Sequence, residues 1–414
     1  MRYVIGIDIG TTHTKAVAFT EDGSVLASAE TSYPVFTDED GAHELEPFHL
    51  FDAVLTVLLQ VTEDRKPDEI AAAVSFSAAM HSLILIGKDG KPLTRAMTWA
   101  DSRSEAYAAK LKASEAGRRI YRQTGTPIHA MSPLCKLLWL KDKKPELFFQ
   151  AVRFISIKEY IWWRFLGKYQ VDYSVASATG LFDIHRLEWY PEALALAGIR
   201  ASQLSEPVPT THREWELIST WRPIGLPAEC PWVIGASDGC LANLGTGAIR
   251  PGATALTIGT SGAVRMAAHS PEYDARERLF SYVLTQGLYI IGGATNNGGN
   301  AVQWYADLAL GEHGRDAGAL DQLATEAGKA PAGCDGLIFL PYLLGERAPV
   351  WDAHAKGLFF GVRWMHGRPH FARAVLEGVS YGLRQIGASL EETVGPIERI
   401  YASGGFTRNT SWLQ

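Results

Sequence analysis

Two short turns carry residue types suited to holding phosphate. Gly10-Thr11-Thr12 lies between the apolar runs YVIGIDI and KAVAFT, and Gly259-Thr260-Ser261 between TALTI and GAVRMAA. Gly10 and Gly259 can adopt positive φ and let a ligand approach the backbone. Thr11, Thr12, Thr260 and Ser261 add hydroxyl donors, and the N–H groups of such a turn can converge on an anion. Neither GxxxxGK[ST] nor a GxGxxG after a strand occurs. A hairpin-type phosphate clamp is the reading that remains.

Two carboxylates stand in improbable places. Asp8 sits inside the strand VIGIDIG, where an unpaired buried carboxylate would be costly. That favours a functional role, holding a hydrated Mg²⁺, over turn capping; one carboxylate plus water suits that ion. Asp238 follows the apolar run in VIGASDGC, where a side chain emerges at a strand's end. It reads equally as a helix N-cap or as a chemical group. SAAMHSL and MTWADSRS add His81, Trp99, Asp101 and Arg103, an aromatic floor with charged hydrogen-bonding groups that suits a polyol.

The elements that must position these groups are legible in outline. Residues 3–9, 15–20 and 24–32 read as three strands, the last two joined at Asp22-Gly23, a strong hairpin signal. A Rossmann unit would place a helix after the first strand. Residues 47–63 have helical apolar spacing, IAAAVSFSAA reads as a strand and SLILIGKDGKPL as another ended by Asp89-Gly90, and Ser132-Pro133 opens a helical pattern running on through 134–148. Prolines 207, 209, 223, 227 and 231 precede WVIGASDGCLANLG, a strand running into a small-residue helix, and the domain boundary is placed at residue 246. GATALTIGTSGAV repeats the grammar of IGIDIGTTHTKAV, which implies a duplicated α/β architecture or two similar hairpins arising independently.

The chain has 414 residues, 47% of them apolar, enough for two domains. Its net charge of −6, without basic runs, argues against nucleic acid or an anionic membrane as a partner. FISIKEYIWWRFLG is too short and too charged to span a bilayer. Four dispersed cysteines, with no CxxC pair, read as packed thiols of a cytoplasmic protein rather than a zinc site.

Taken in order, these motifs resemble the FGGY carbohydrate kinase family over essentially the whole chain. One family signature is matched by MSPLCKLLWLKDK (131–143), although Lys143 departs from the usual Glu, Asn, Gln or His. The other is matched by GLFFGVRWMHGRPHFARAVLE (357–377), while NNGGNAVQW and ASGGFTRNTSW resemble the nucleotide-side helix and the adenosine loop. The resemblance implies the duplicated actin- and hexokinase-like (ribonuclease H-like) ATPase fold, two domains with a cleft between them. Residues 1–246 would form the sugar side and 247–414 the nucleotide side.

The same resemblance implies ATP and Mg²⁺ as cofactors and assigns roles by position. Asp238 matches the catalytic base, and Met80 and His81 a substrate-binding pair, with Trp99, Asp101 and Arg103 in the neighbouring substrate loop. Thr11, Thr12, Gly259, Thr260, Gly299, Gln303, Gly404, Gly405 and Asn409 match nucleotide contacts, and Asp8 the Mg²⁺-side carboxylate. TGTPIHAMSPL, AAMHSL and LPYLLGERAPVWD look most like the branch that phosphorylates D-gluconate to 6-phosphogluconate. A kinase for xylulose or another pentulose or polyol is the alternative, and a noncatalytic, nucleotide-gated sugar-binding protein the alternative of another class. If gluconate is the substrate, Arg103 and His81 are candidates to meet its carboxylate. A homodimer is left open. Family members continue beyond the adenosine loop, so residues 1–414 are expected to be a fragment of a longer kinase, its adenine side unfinished.

Overall fold

The computed structural model describes residues 1–63, 65–66, 68–221, 225–316 and 318–413; Pro223 of the proline cluster lies outside them. The chain divides into two compact units. Unit 1 comprises Met1–Leu241 with Tyr282–Tyr289, and unit 2 comprises Ala242–Ser281 with Ile290–Gln414. The division falls inside a helix, at Leu241/Ala242.

Unit 1 is built on β1 (Arg2–Ile9), β2 (His13–Thr20), β3 (Val25–Ser32), α1 (Pro47–Thr62), β4 (Ile70–Ala78), α2 (Pro133–Lys143), α3 (Ile157–Leu166), α4 (Tyr173–Ser177) and β5 (Trp232–Ser237). Its main sheet has the order β5-β4-β1-β2-β3, with the short strand Arg213–Glu214 outside β5. β1, β2 and β3 form an antiparallel meander, whereas β4 runs parallel to β1 and β5 parallel to β4. Tyr3, Ile5, Ile7 and Ile9 alternate onto the buried face of β1 and join Leu50, Phe51, Val54, Val57, Leu58 and Val61 of α1 in one core. Proline at the start of α1 fits a position whose N–H has no helical partner.

One expectation needs correction. The helical pattern across 134–148 forms two helices, because Pro145 lacks an N–H and forces Lys144 out of helical geometry (φ −138°, ψ 52°). SLILIGKDGKPL holds the strand Ile84–Ile86, paired with 153–155. A turn at Gly87–Gly90 follows it, at the Asp89-Gly90 pair read from the sequence, where the Gly90 N–H donates to the Gly87 carbonyl.

Unit 2 repeats the opening of unit 1. A helix at the boundary, α5 (Asp238–Thr246), is followed by β6 (Ala253–Ile258), β7 (Gly262–Ala268), β8 (Phe280–Thr285), β9 (Leu288–Thr295), α6 (Gly299–Leu310), α7 (Ala319–Ala327), α8 (Arg368–Thr393) and β10 (Arg399–Ser403), of which residues 282–285 of β8 and 288–289 of β9 belong to unit 1. The sheet order is β8-β9-β7-β6-β10, with β6 antiparallel to β7 and parallel to β10. Each unit therefore has a hairpin whose first strand borders a parallel strand added later in the chain. α8 buries Ala372, Val375, Leu376, Val379, Leu383, Ile386 and Leu390, a stripe at helical spacing. All four cysteines are buried and outside any disulfide, and no described helix is long and apolar enough to cross a membrane.

Candidate active site

In unit 1 the candidate residues gather because β1, β4 and β5 are adjacent and parallel, so their C-terminal ends lie along one sheet edge. Asp8 is in register with Ser77, and Ser77 with Ala236. Asp238 is the first residue beyond β5, and Met80-His81 follow β4. Crevices at the carboxyl ends of parallel strands are where α/β sheets bind ligands.

Asp8 is not buried. The pleat turns its side chain away from the Ile7–Ile9 face, it is exposed, and its Oδ1 accepts a 2.6 Å hydrogen bond from Ser77 Oγ. The argument from the cost of a buried carboxylate therefore does not apply; what the structure offers is an accessible hard oxygen donor at a strand end. Among the described residues, no group of three or more His, Cys, Asp or Glu could hold a metal.

The N-cap role considered for Asp238 falls to its neighbour. Ser237 Oγ accepts from the Cys240 N–H at 3.4 Å, which is the N-cap bond of α5. Asp238 is the first helical residue, exposed, with Oδ1 2.7 Å from the N–H of Gly239. Its carboxylate lies in the first turn of α5, at the positive end of the helix dipole. Gly235 makes a bulge in β5 at φ +66°, where a Cβ would lie 1.9 Å from the Phe76 carbonyl oxygen. Only glycine fits there.

A buried network, unforeseen in the sequence, fixes this strand end. Lys158 Nζ donates to Asp172 Oδ2 at 2.8 Å and to the Ala236 carbonyl at 3.0 Å. Asp172 Oδ1 caps α4 through the N–H groups of Ser174 and Val175, and Ser174 Oγ accepts from the Ser237 N–H at 2.6 Å. Burial lowers the Lys158 pKa, and Asp172, with a smaller contribution from Asp238, offsets part of that. The available signal was a lysine among the aromatic residues of IKEYIWW, which must find a partner once buried.

The sugar-loop candidates divide into two kinds. Met80 and Trp99 are half-buried. His81 is buried at φ +66°, with Nδ1 2.7 Å from the Ala178 carbonyl and Nε2 3.4 Å from the Tyr282 hydroxyl. Asp101 and Arg103 instead engage each other: Arg103 donates from Nε and Nη2 to Asp101 and from Nη2 to Glu44, and stacks 4.7 Å above Trp139. Burial pushes the Arg103 pKa down, and the two carboxylates more than offset it. Arg103 is thus matched by two negative charges.

In unit 2, a pocket of about 640 Å³ brings together Gly259, Thr260, Gly299, Gln303, Gly405 and Asn409. Gly404, at φ +104°, shapes it from behind, since a Cβ there would lie 2.2 Å from the Ile258 carbonyl oxygen. Gly259 and Gly405 have open space where a Cβ would point. The turn is tied to α6 by the Gly299 N–H on Gly259 O and the Asn300 N–H on Thr260 O. The Gln303 amide donates to Asp307 and to the Gly314 carbonyl. Asn409 accepts from the Trp412 N–H, so it caps the last helical turn rather than lying inside it. Arg315, Asp321, Phe406 and Trp412 also line the pocket; their spacing gave no sign of this. Thr11 and Thr12 belong to unit 1, at the end of β1. A cavity of about 660 Å³ in unit 1, lined by Arg153, Lys168, Tyr169 and Trp189 among others, contains none of the candidates.

Comparison with known proteins gives this pattern a family. Residues 3–245 match the N-terminal domain of the FGGY family of carbohydrate kinases, and residues 254–414 its C-terminal domain. Gluconokinase of Bacillus subtilis (strain 168) is 43% identical over 100% of this chain and 82% of that protein. The crystal structure of gluconate kinase from Lactobacillus acidophilus aligns with a TM-score of 0.95 at 37% identity, covering 99% of this chain and 82% of that one. Ligand-bound xylulose kinase from Lactobacillus acidophilus aligns with a TM-score of 0.95 at 38% identity, covering 100% and 83%. Both halves of the sequence and the duplicated, actin-like α/β architecture agree, and the chain belongs to the FGGY family of carbohydrate kinases.

Proposed function

We propose that this chain transfers the γ-phosphoryl group of ATP to the terminal hydroxyl of D-gluconate, giving 6-phosphogluconate. The observation that carries the reading is Asp238: an exposed carboxylate just beyond a parallel strand, its capping task taken by Ser237. Asp238 accepts the hydroxyl proton as that oxygen attacks the γ-phosphorus. The bond from phosphorus to the bridging oxygen breaks, and ADP leaves with that oxygen. Phosphoryl transfer asks little covalent chemistry of a protein, so positioning and charge neutralisation do most of the work.

Met80, His81 and Trp99 hold the sugar acid, and the Asp101–Arg103 pair orders the loop that carries Trp99. Gly259, Thr260, Gly299, Gln303, Gly405 and Asn409 receive the nucleotide in the pocket shaped by Gly404, and Thr11 and Thr12 offer hydroxyls to phosphate. Asp8 suits Mg²⁺, which keeps several waters and takes one or two carboxylates. When bound, Mg²⁺ neutralises phosphate charge. Four buried cysteines outside any disulfide support a reducing compartment, the cytoplasm.

A second reading, xylulose as substrate, is favoured by Arg103, whose charge is already matched by Asp101 and Glu44. The deciding experiment is a panel of gluconate, xylulose, ribulose, glycerol and fuculose with coupled ADP detection. The proposal expects kcat/KM for gluconate to exceed that for every other sugar by at least about tenfold. A preference for xylulose replaces gluconate, and sugar binding without ADP release favours a noncatalytic sugar-binding protein.

A further inference from the structure

Lys136 is fully buried on α2. A lysine out of water ordinarily finds a carboxylate or loses its proton. Here the bonded partners are two backbone oxygens from separate loops: Nζ donates to the His81 carbonyl at 2.6 Å and to the Thr98 carbonyl at 2.5 Å. Those residues lie in the two segments assigned to the sugar, SAAMHSL and MTWADSRS. The loops already meet at Leu83 and Met97, whose N–H groups donate to each other's carbonyls at 3.0 and 2.9 Å. Lys136 extends that bridge to the residues next to the substrate.

The helix beneath is a firm base. Ser132 caps it, Pro133 starts it, and Leu134, Leu137 and Leu140 are buried in the unit's second apolar cluster. His81 needs such a support, since φ +66° is a conformation that side chains other than glycine rarely hold. We propose that Lys136 is a positioning residue, an ammonium clamp that fixes the backbones of both sugar loops relative to each other. The proposal rests on the assignment of those loops to substrate.

The clamp is sensitive to pH. Burial brings the Lys136 pKa down to about 7, with Asp101 and Cys135 pulling it up and Arg103 pushing it down. Cys135 is itself pushed up to about 11 by burial, so it stays neutral near pH 7. His43 also feels this charge, its pKa lowered by burial and then by Lys136, against a pull from Asp101. Loss of the ammonium charge weakens both carbonyl bonds.

The test compares wild type, Lys136→Met and Lys136→Gln by calorimetric titration with the preferred sugar and, separately, with ATP. Removing the donor takes a charged hydrogen bond from both carbonyls, the Thr98 oxygen keeping only the Asp101 N–H at 3.2 Å, so Lys136→Met is expected to weaken sugar binding on the order of tenfold or more, with ATP affinity within about twofold. Lys136→Gln, which can donate to one carbonyl, recovers part of the loss. Wild-type sugar affinity falls from about pH 6 to about pH 9 and the Met variant's does not, which separates the lysine from His43. Wild-type sugar affinity in Lys136→Met, or equal losses for sugar and ATP, overturns the clamp. If neither variant folds, a flat wild-type profile overturns it and a falling one supports it. A wild type that binds none of the panel sugars overturns the functional reading, and the clamp with it.

Discussion

Lys158 Nζ and Asp172 Oδ2 lie 2.8 Å apart with both side chains buried, and the same ammonium holds the carbonyl of Ala236, two residues before Asp238. Breaking a buried pair leaves an uncompensated charge, which costs about 3–5 kcal/mol. Asp172→Asn is expected to lower stability by that order and to reduce kcat more than either KM. Adding Lys158→Met removes the orphaned charge and should return much of the stability. Chemical denaturation of the four members of this cycle is the check; additive effects would mean that the two residues do not act as a pair.

The Ser77–Asp8 hydrogen bond makes a prediction about the metal. Asp8→Asn should raise the Mg²⁺ concentration needed for half-maximal rate about tenfold or more, because a carboxylate binds a hard dication far better than an amide. Ser77→Ala should shift it less. A Mg²⁺ titration of initial rates reads this directly, and an unchanged midpoint in Asp8→Asn removes Asp8 from the metal side.

Arg103 was the natural partner for a gluconate carboxylate by residue type. Its bonds to Asp101 and Glu44 change the expectation. Arg103→Ala should raise KM for gluconate and for any neutral sugar accepted by a similar factor, since both depend on an ordered loop. A selective loss for gluconate would restore direct recognition of the carboxylate.

Gly405 faces open space in the unit 2 pocket, so a side chain there collides with a ligand rather than with protein. Gly405→Val should weaken ATP binding without lowering the thermal midpoint by more than a few degrees. Gly404→Ala, by contrast, should cost stability, because its Cβ meets the Ile258 carbonyl. Nucleotide titration alongside thermal unfolding separates the two; unaltered ATP affinity in Gly405→Val would argue against this pocket as the nucleotide site.

Lys136 links stability and pH with a definite sign. Its pKa falls to about 7 in the folded unit against 10.5 for an ordinary lysine. Between those values the unfolded chain binds more protons, so this group makes stability rise with pH. Relative to Lys136→Met, wild type should gain about 2 kcal/mol from pH 7 to pH 9 while its sugar affinity falls. Denaturation at the two pH values checks the first half, and no gain would show that the lysine does not titrate in this range.

Much of this architecture was legible because it is local. Alternating apolar residues in YVIGIDI, the Asp22-Gly23 turn and the Ile-Gly-Thr repeat belong to short segments whose physics does not depend on distant partners. The strand ends that bear Asp8 and Asp238 were visible for the same reason. The side-chain environment was not. Whether Asp8 faces core or solvent depends on which face α1 covers, and whether Asp238 caps its helix depends on Ser237 being free to do so. The partners of Lys136, Lys158 and Arg103 come from residues far away in the chain. A buried lysine in a sequence signals that a partner must exist, but not which one.

The central claim is that Asp238 is the base of phosphoryl transfer. Asp238→Asn keeps size and most hydrogen bonding while removing basicity, so the most direct measurement is its kcat with the preferred sugar and saturating Mg-ATP, beside sugar affinity by calorimetry. The account predicts a kcat loss of roughly 10²–10⁴-fold, about 3–5 kcal/mol of barrier, with sugar affinity essentially retained. A kcat within about threefold of wild type, less than 1 kcal/mol, would contradict it and leave Asp238 a residue of the helix end alone.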